Sequence, residues 1–230
     1  MSPGSHSPLT IFPIFLYLLL SSLHDNTLFA NAQTYTPRST YGSVSDFIDG
    51  KAMYVQGGRI DMYQTTAQSF VLDLSTSWDL ATPAYKRLPD GLNSGSRPGA
   101  LLNDSTTLFI MNDTSFYYYN VQNGQLTSYP ANLYNRQRMS TRKAVANPGT
   151  GRVYIPSGYL GPDDLDALLR FNPDTKKFDY FTMPSALQKT QEYPAAWVPH
   201  LNAMLIFGGV DYKAARVSSS LYRYNYGDGS

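Results

Sequence analysis

Ala203-Met204-Leu205-Ile206-Phe207-Gly208-Gly209 is five apolar residues closed by two glycines, and the fold is read from where this phrase returns. It returns as Ala52-Met53-Tyr54-Val55-Gln56-Gly57-Gly58 and, with a single glycine, as Val153-Tyr154-Ile155-Pro156-Ser157-Gly158. A fourth version, Thr107-Leu108-Phe109-Ile110-Met111, runs into Asn112. Asn is the next best residue after glycine for a left-handed backbone. From Gly58 to Gly158 is 100 residues over two repeats, and from Gly158 to Gly209 is 51, which sets a period near fifty.

Each copy sits in the same order of features. A strand of small or apolar residues comes first: Gly42 to Ile48, Gly99 to Leu102, Lys143 to Ala146, Ala195 to Val198. A polar turn such as Asp49-Gly50 or Asn147-Pro148-Gly149-Thr150-Gly151 leads into the quoted phrase, and a variable loop follows it. A third strand then ends on Asp or Asn, as in Ser69-Phe70-Val71-Leu72-Asp73, Phe116 to Asn120, Leu168 to Asn172 and Leu221 to Asn225. The fourth closes near Pro, at Pro89, Pro130 and Pro184, and is missing from the last copy.

Four short strands per unit, apolar on both faces, cannot bury both faces alone. Stacking such sheets around an axis does, so the expected fold is all-β, a β-propeller of about three and a half four-stranded blades. The units run over about 41–90, 98–130, 141–184 and 193–230. Gly57, Gly58, Gly158, Gly208 and Gly209 are expected to be structural, allowing positive φ and close backbone approach.

These residues resemble the kelch repeat family. Val55-Gln56-Gly57-Gly58 and Ile206-Phe207-Gly208-Gly209 match its apolar strand with diglycine, and Phe70, Tyr119, Phe171 and Tyr222 match its third-strand aromatic. Tyr85 and Phe178 are similar to its fourth-strand aromatic. The resemblance implies a ring of more blades than are counted here, so residues 41–230 read as part of a larger propeller. It also implies a catalytic possibility, because the extracellular galactose oxidase type is a kelch propeller. The copper site of that type uses two His and a Tyr–Cys thioether. The chain has no Cys, and of its three His only His200 lies beyond the first 32 residues, so no enzyme activity, cofactor or metal is expected.

Residues 1–32 read as a signal peptide, followed by an N-terminal segment over 33–40. The uncharged run Ile11 to Leu20 is shorter than the ~20 residues a membrane-spanning helix needs, and Ala30-Asn31-Ala32 offers a cleavage site before Gln33. The expected location is therefore secreted or at the extracellular surface, with no membrane span in the remaining chain. Sequons at Asn103 and Asn112 mark expected N-glycosylation. Asn103 is the better placed, in a turn between first and second strands, whereas Asn112 takes a diglycine position.

Aromatics at 14% and charged residues at only 15% suit strands and a packed core, and a net charge of +1 gives no reason to expect nucleic acid as a partner. His200 falls in the turn Pro199-His200-Leu201-Asn202, and Asp163-Asp164-Leu165-Asp166 lacks the spacing of a calcium loop. What remains is surface. Antiparallel connectivity gathers the loops between second and third strands with the loops linking one unit to the next. The expected binding face comprises Arg59, Asp61, Tyr63, Arg97, Arg136, Arg138, Tyr159, Asp163, Asp211 and Tyr212. Arg and Tyr are enriched at protein hot spots, so the expected partner is a protein. A glycan stacked on exposed Tyr is the alternative, and a truncated, non-functional fragment is the third.

Overall fold

The computed structural model describes residues 35–48, 50–133, 139, 142–156, 167–183, 185, 187–188, 190–211 and 214–225. Among these there are seventeen β-strands, one 3-10 turn and no α-helix. Blade one is β1 (Val44–Ile48), β2 (Ala52–Gln56), β3 (Ser69–Asp73) and β4 (Tyr85–Leu88). Blade two is β5 (Gly99–Leu101), β6 (Thr107–Met111), β7 (Ser115–Asn120) and β8 (Leu126–Pro130). Blade three is β9 (Val145–Ala146), β10 (Val153–Ile155), β11 (Ala167–Asn172) and β12 (Lys177–Thr182). Blade four is β13 (Ala195–Val198), β14 (Ala203–Phe207) and β17 (Leu221–Asn225), with the small hairpin β15 (Val210–Asp211) and β16 (Arg216–Val217) in the loop between the last two.

Every sheet is an antiparallel meander in sequence order, and the four sheets are arranged as a four-bladed β-propeller. The repeat read from the sequence is thus the blade. The hairpins form where local chemistry closes them. Asn120 Oδ1 accepts from the amides of Gln122 and Asn123, and Gly124 follows at φ 75°. Asn172 does the same for Asp174 and Thr175 before Lys176 at φ 55°. A third strand ends on Asn because its side chain folds the chain back into the fourth.

Both diglycines hold positive φ, 70° and 110° at Gly57 and Gly58, 65° and 102° at Gly208 and Gly209. A Cβ at Gly58 would fall onto Ser43 and Thr40, and one at Gly209 onto Thr190. These neighbours lie in the segments leading into β1 and β13, so the glycines let each approach strand cross close over the end of the second strand. Gly158 lies outside the described residues.

Three hydrophobic clusters fill three junctions. Tyr54 and Val71 of blade one meet Leu108, Ile110 and Tyr119 of blade two. Phe109 and Phe116 of blade two meet Val153, Leu169 and Phe171 of blade three. Tyr154 and Leu168 of blade three meet Met204 and Ile206 of blade four. The middle junction is rich in aromatic contacts: the Phe171 ring lies 4.7 Å from both Phe109 and Phe116 and 4.9 Å from Phe178, at angles suited to π contacts. Among the described residues no cluster joins blade four to blade one. The faces that would meet there expose Phe47 on blade one, and Phe207 and Leu221 on blade four.

Candidate functional site

The first strands β1, β5, β9 and β13 stand around the axis and line a cavity of about 730 Å³. Small residues at Gly99, Ala144, Ala146, Ala195 and Ala196 line it from these strands or their approaches, beside larger ones such as Phe47 and Trp197. Among the described residues lining the cavity the one carboxylate is Asp46, which joins two blades. Its Oδ2 accepts from the Leu101 amide of β5 at 2.7 Å and its Oδ1 from the Phe47 amide at 2.8 Å. Burial pushes its pKa above the ordinary aspartate value, and the two amide bonds pull it partly back.

The loop from Arg59 to Thr65, between β2 and β3, is built differently. Arg59 is bridged to Tyr41 on one side and Thr65 on the other. The Ile60 amide donates to the Gln64 carbonyl at 2.9 Å, and the Thr66 amide to the Gly58 carbonyl at 3.0 Å. At the apex Asp61 Oδ1 accepts from the amides of Tyr63 (2.7 Å) and Gln64 (2.8 Å), fixing the turn. The Arg59 guanidinium donates to the Met62 carbonyl at 3.3 Å, and Thr65 Oγ1 to Asn93 Oδ1 at 2.7 Å. The result is a short hairpin-like projection with its backbone bonded and the Met62 and Tyr63 side chains exposed at its apex. Tyr63 is 90% exposed and Met62 72%.

The other expected face residues divide into two groups. Arg97 is spent on structure: its Nη1 donates to Asp113 Oδ1 at 2.8 Å, and the same oxygen accepts from the Met139 amide. This ties two linking loops to the β6–β7 loop. Asp211, in β15, accepts from the Ala214 amide at 3.0 Å and stands 3.7 Å from Arg216 across the hairpin. Arg136, Arg138, Tyr159, Asp163 and Tyr212 lie outside the described residues. Arg59, Asp61 and Tyr63 are the three brought together in one loop. Met62 was not among the residues expected on this face; it is exposed at the turn that Asp61 fixes.

Asn103 is exposed in the β5–β6 turn of blade two, at the opposite ends of the strands from the β2–β3 loop of blade one. Asn112 is half-buried; its Oδ1 accepts from the Thr114 and Ser115 amides, and its Nδ2 donates to the Tyr117 hydroxyl at 2.9 Å. Its amide nitrogen is therefore occupied in the fold. His200 sits exposed on the 3-10 turn Pro199–Leu201, closed by Asn202 in the left-handed region. Among the described residues no three His, Cys, Asp or Glu stand close enough to hold a metal ion. No family model matches the chain, and no curated protein matches it.

Proposed function

We propose that the chain is a secreted or cell-surface, kelch-like propeller that acts as a non-catalytic protein-interaction module, with the Arg59–Thr65 loop as its contact point. The observation that carries this reading is the pairing of a bonded loop backbone with an exposed Met62-Tyr63 apex. Ordering a loop on binding costs about 0.5–1.5 kcal/mol per immobilised side chain, so a loop already fixed by its own bonds gives up less on contact. Tyr is among the residues that anchor interfaces, and Met adapts to irregular apolar surfaces. The secretory part of the proposal rests on residues 1–32 and on the accessible sequon at Asn103.

The test is site-specific photo-crosslinking. A photoreactive phenylalanine analogue replaces Tyr63 in one sample and Asp104, in the β5–β6 turn of blade two, in another. Both are exposed to the extracellular fluid of the source tissue. A protein species crosslinked from position 63, absent from position 104 and lost in Asp61→Ala is the expected result. Binding to a glycan array through Tyr63 with no protein crosslinked would instead assign the loop to carbohydrate.

A further inference from the structure

Residues 35–41 lie along blade one and end against the Arg59–Thr65 loop, and one buried side chain holds them there. Gln68, just before β3, is 7% exposed. Its Oε1 accepts from the Arg38 amide at 3.1 Å and from the Tyr35 hydroxyl at 3.3 Å, and its Nε2 donates to the Arg38 carbonyl at 3.0 Å. A primary amide carries both a donor and an acceptor, so it pairs with both main-chain groups of one residue as a neighbouring strand would. The Tyr35 ring adds contact, its centroid 6.1 Å from that of Phe70 and 5.9 Å from the Arg87 guanidinium. Gln68 is itself fixed: its amide donates to Thr66 Oγ1 at 3.1 Å, and its carbonyl accepts from the Gly57 amide at 2.9 Å. The holding group is thus anchored in the blade, while Thr36, Arg38 and Ser39 of the held segment are exposed.

The other end of the segment supports the loop. The Tyr41 amide donates to the Arg59 carbonyl at 3.0 Å, and the Arg59 amide to the Tyr41 carbonyl at 2.8 Å. Arg59 is bridged on its other side to Thr65, so the stem of the loop is bonded in the order Tyr41, Arg59, Thr65. Gly58, at φ 110°, brings the first leg of the stem against Thr40 and Ser43, where a Cβ would collide. Without Tyr41 both main-chain groups of Arg59 lose their partner. The stem is then a single pairing with Thr65, too short to hold by itself.

We propose that residues 35–41 are a strap that governs the contact loop. Seated on Gln68, they hold the Met62-Tyr63 apex in one geometry; when they lift, the stem loosens and the apex loses it. This rests on the reading of the Arg59–Thr65 loop as the contact point and adds its regulation. A protein partner meets a pre-formed loop only while the strap is seated, so lifting the strap weakens binding by the ordering the loop must then undergo.

The test is residue-resolved amide exchange on the full chain, wild type against Gln68→Ala and Tyr35→Phe, with the crosslink from position 63 recorded alongside. Gln68→Ala is expected to speed exchange of the Arg38, Tyr41, Arg59 and Thr66 amides about tenfold, with Phe109 and Ile110 of β6 unchanged. Tyr35→Phe keeps the ring but removes one of the two bonds to Oε1, and is expected to speed the same amides about twofold. Crosslinking from position 63 falls about tenfold in Gln68→Ala. Unchanged exchange at Tyr41 and Arg59 in Gln68→Ala overturns the strap. If Gln68→Ala loosens β6 as well, Tyr35→Phe decides: a rise confined to Arg38, Tyr41, Arg59 and Thr66 upholds the strap, and no rise there overturns it. Faster loop exchange in Gln68→Ala, with no protein crosslinked even in wild type, upholds the strap and overturns the contact reading alone.

Discussion

β11 and β17 are nearly the same strand in two surroundings. β11 is bonded on both edges, and Leu169 and Phe171 lie fully buried among Phe109, Phe116 and Phe178. Among the described residues β17 is bonded on one edge, and Leu221 is 64% exposed beside Phe207. The difference lies in what stands next to the strand. A blade is a sheet with two apolar faces, and its stability is supplied by the neighbour on each side. The interior of the stack holds the fold, while the Arg59–Thr65 loop projects from it.

The sharpest way to break this comparison is in the cores. Phe171→Ala or Phe116→Ala removes an aromatic side chain from the middle junction and is expected to cost about 3–5 kcal/mol. Phe207→Ala, on the open face of blade four, is expected to stay within about 0.5 kcal/mol. Denaturant unfolding midpoints of the purified variants check both. Equal losses would mean that blade four is covered as blade three is.

Gly209→Ala comes next. At φ 102° an L-residue is strained, and its Cβ would land on Thr190, so a loss of about 2 kcal/mol is expected. Gly50 has a positive φ of 68° with open space around it, so Gly50→Ala pays for backbone strain alone and should lose about 1 kcal/mol. The gap between the two measures the close approach of the linking segment.

Arg170→Ala is expected to lose about 1 kcal/mol, because that guanidinium is largely buried over Phe181 and bonded twice to Asp179. Arg223→Ala should lose less than about 0.5 kcal/mol, since its bonds are exposed. The same unfolding measurement decides it.

The smallest effect concerns Asp46. Burial raises its pKa in the folded chain, so the fold binds this proton more tightly than the unfolded chain does. The stability it contributes is greatest below the unfolded value of ~3.9 and falls as pH rises through the raised folded value. Asp46→Asn is expected to flatten that decline while keeping an oxygen for the Leu101 amide. Unfolding midpoints across the acid range provide the check, and an unchanged pH profile in the variant would remove Asp46 from the account.

Much of the fold was legible because each strand is framed by its own chemistry. β6 and β13 fall where the segments Thr107 to Met111 and Ala195 to Val198 were read from the repeat, and β8 ends on Pro130 as expected. β9 is shorter than read, since Lys143 and Ala144 lie on the approach to it. The β15–β16 hairpin carries no legible signal, because two residues on each side are too few to make a period. The site was legible only in part. Asp61 and Tyr63 are neighbours in sequence, so their turn could be anticipated. The Arg97–Asp113 pair joins two loops sixteen residues apart, and no local pattern announces it. Likewise the equivalence of Arg223 and Arg170 is present in the letters, but the meeting of Arg170 with Asp179 shows only once the strands are paired.

The most direct measurement is residue-resolved amide exchange on the free chain, comparing Leu168, Arg170 and Asn172 of β11 with Leu221, Arg223 and Asn225 of β17. The account predicts slow exchange at all three positions in β11. In β17 the Gly208 amide bonds the Ser220 carbonyl, so by antiparallel alternation Tyr222 and Tyr224 bond to β14. The account therefore predicts fast exchange at Leu221, Arg223 and Asn225, with Tyr222 and Tyr224 slower between them. An Arg223 amide as protected as that of Arg170 would contradict it, because the two strands would then share the same surroundings.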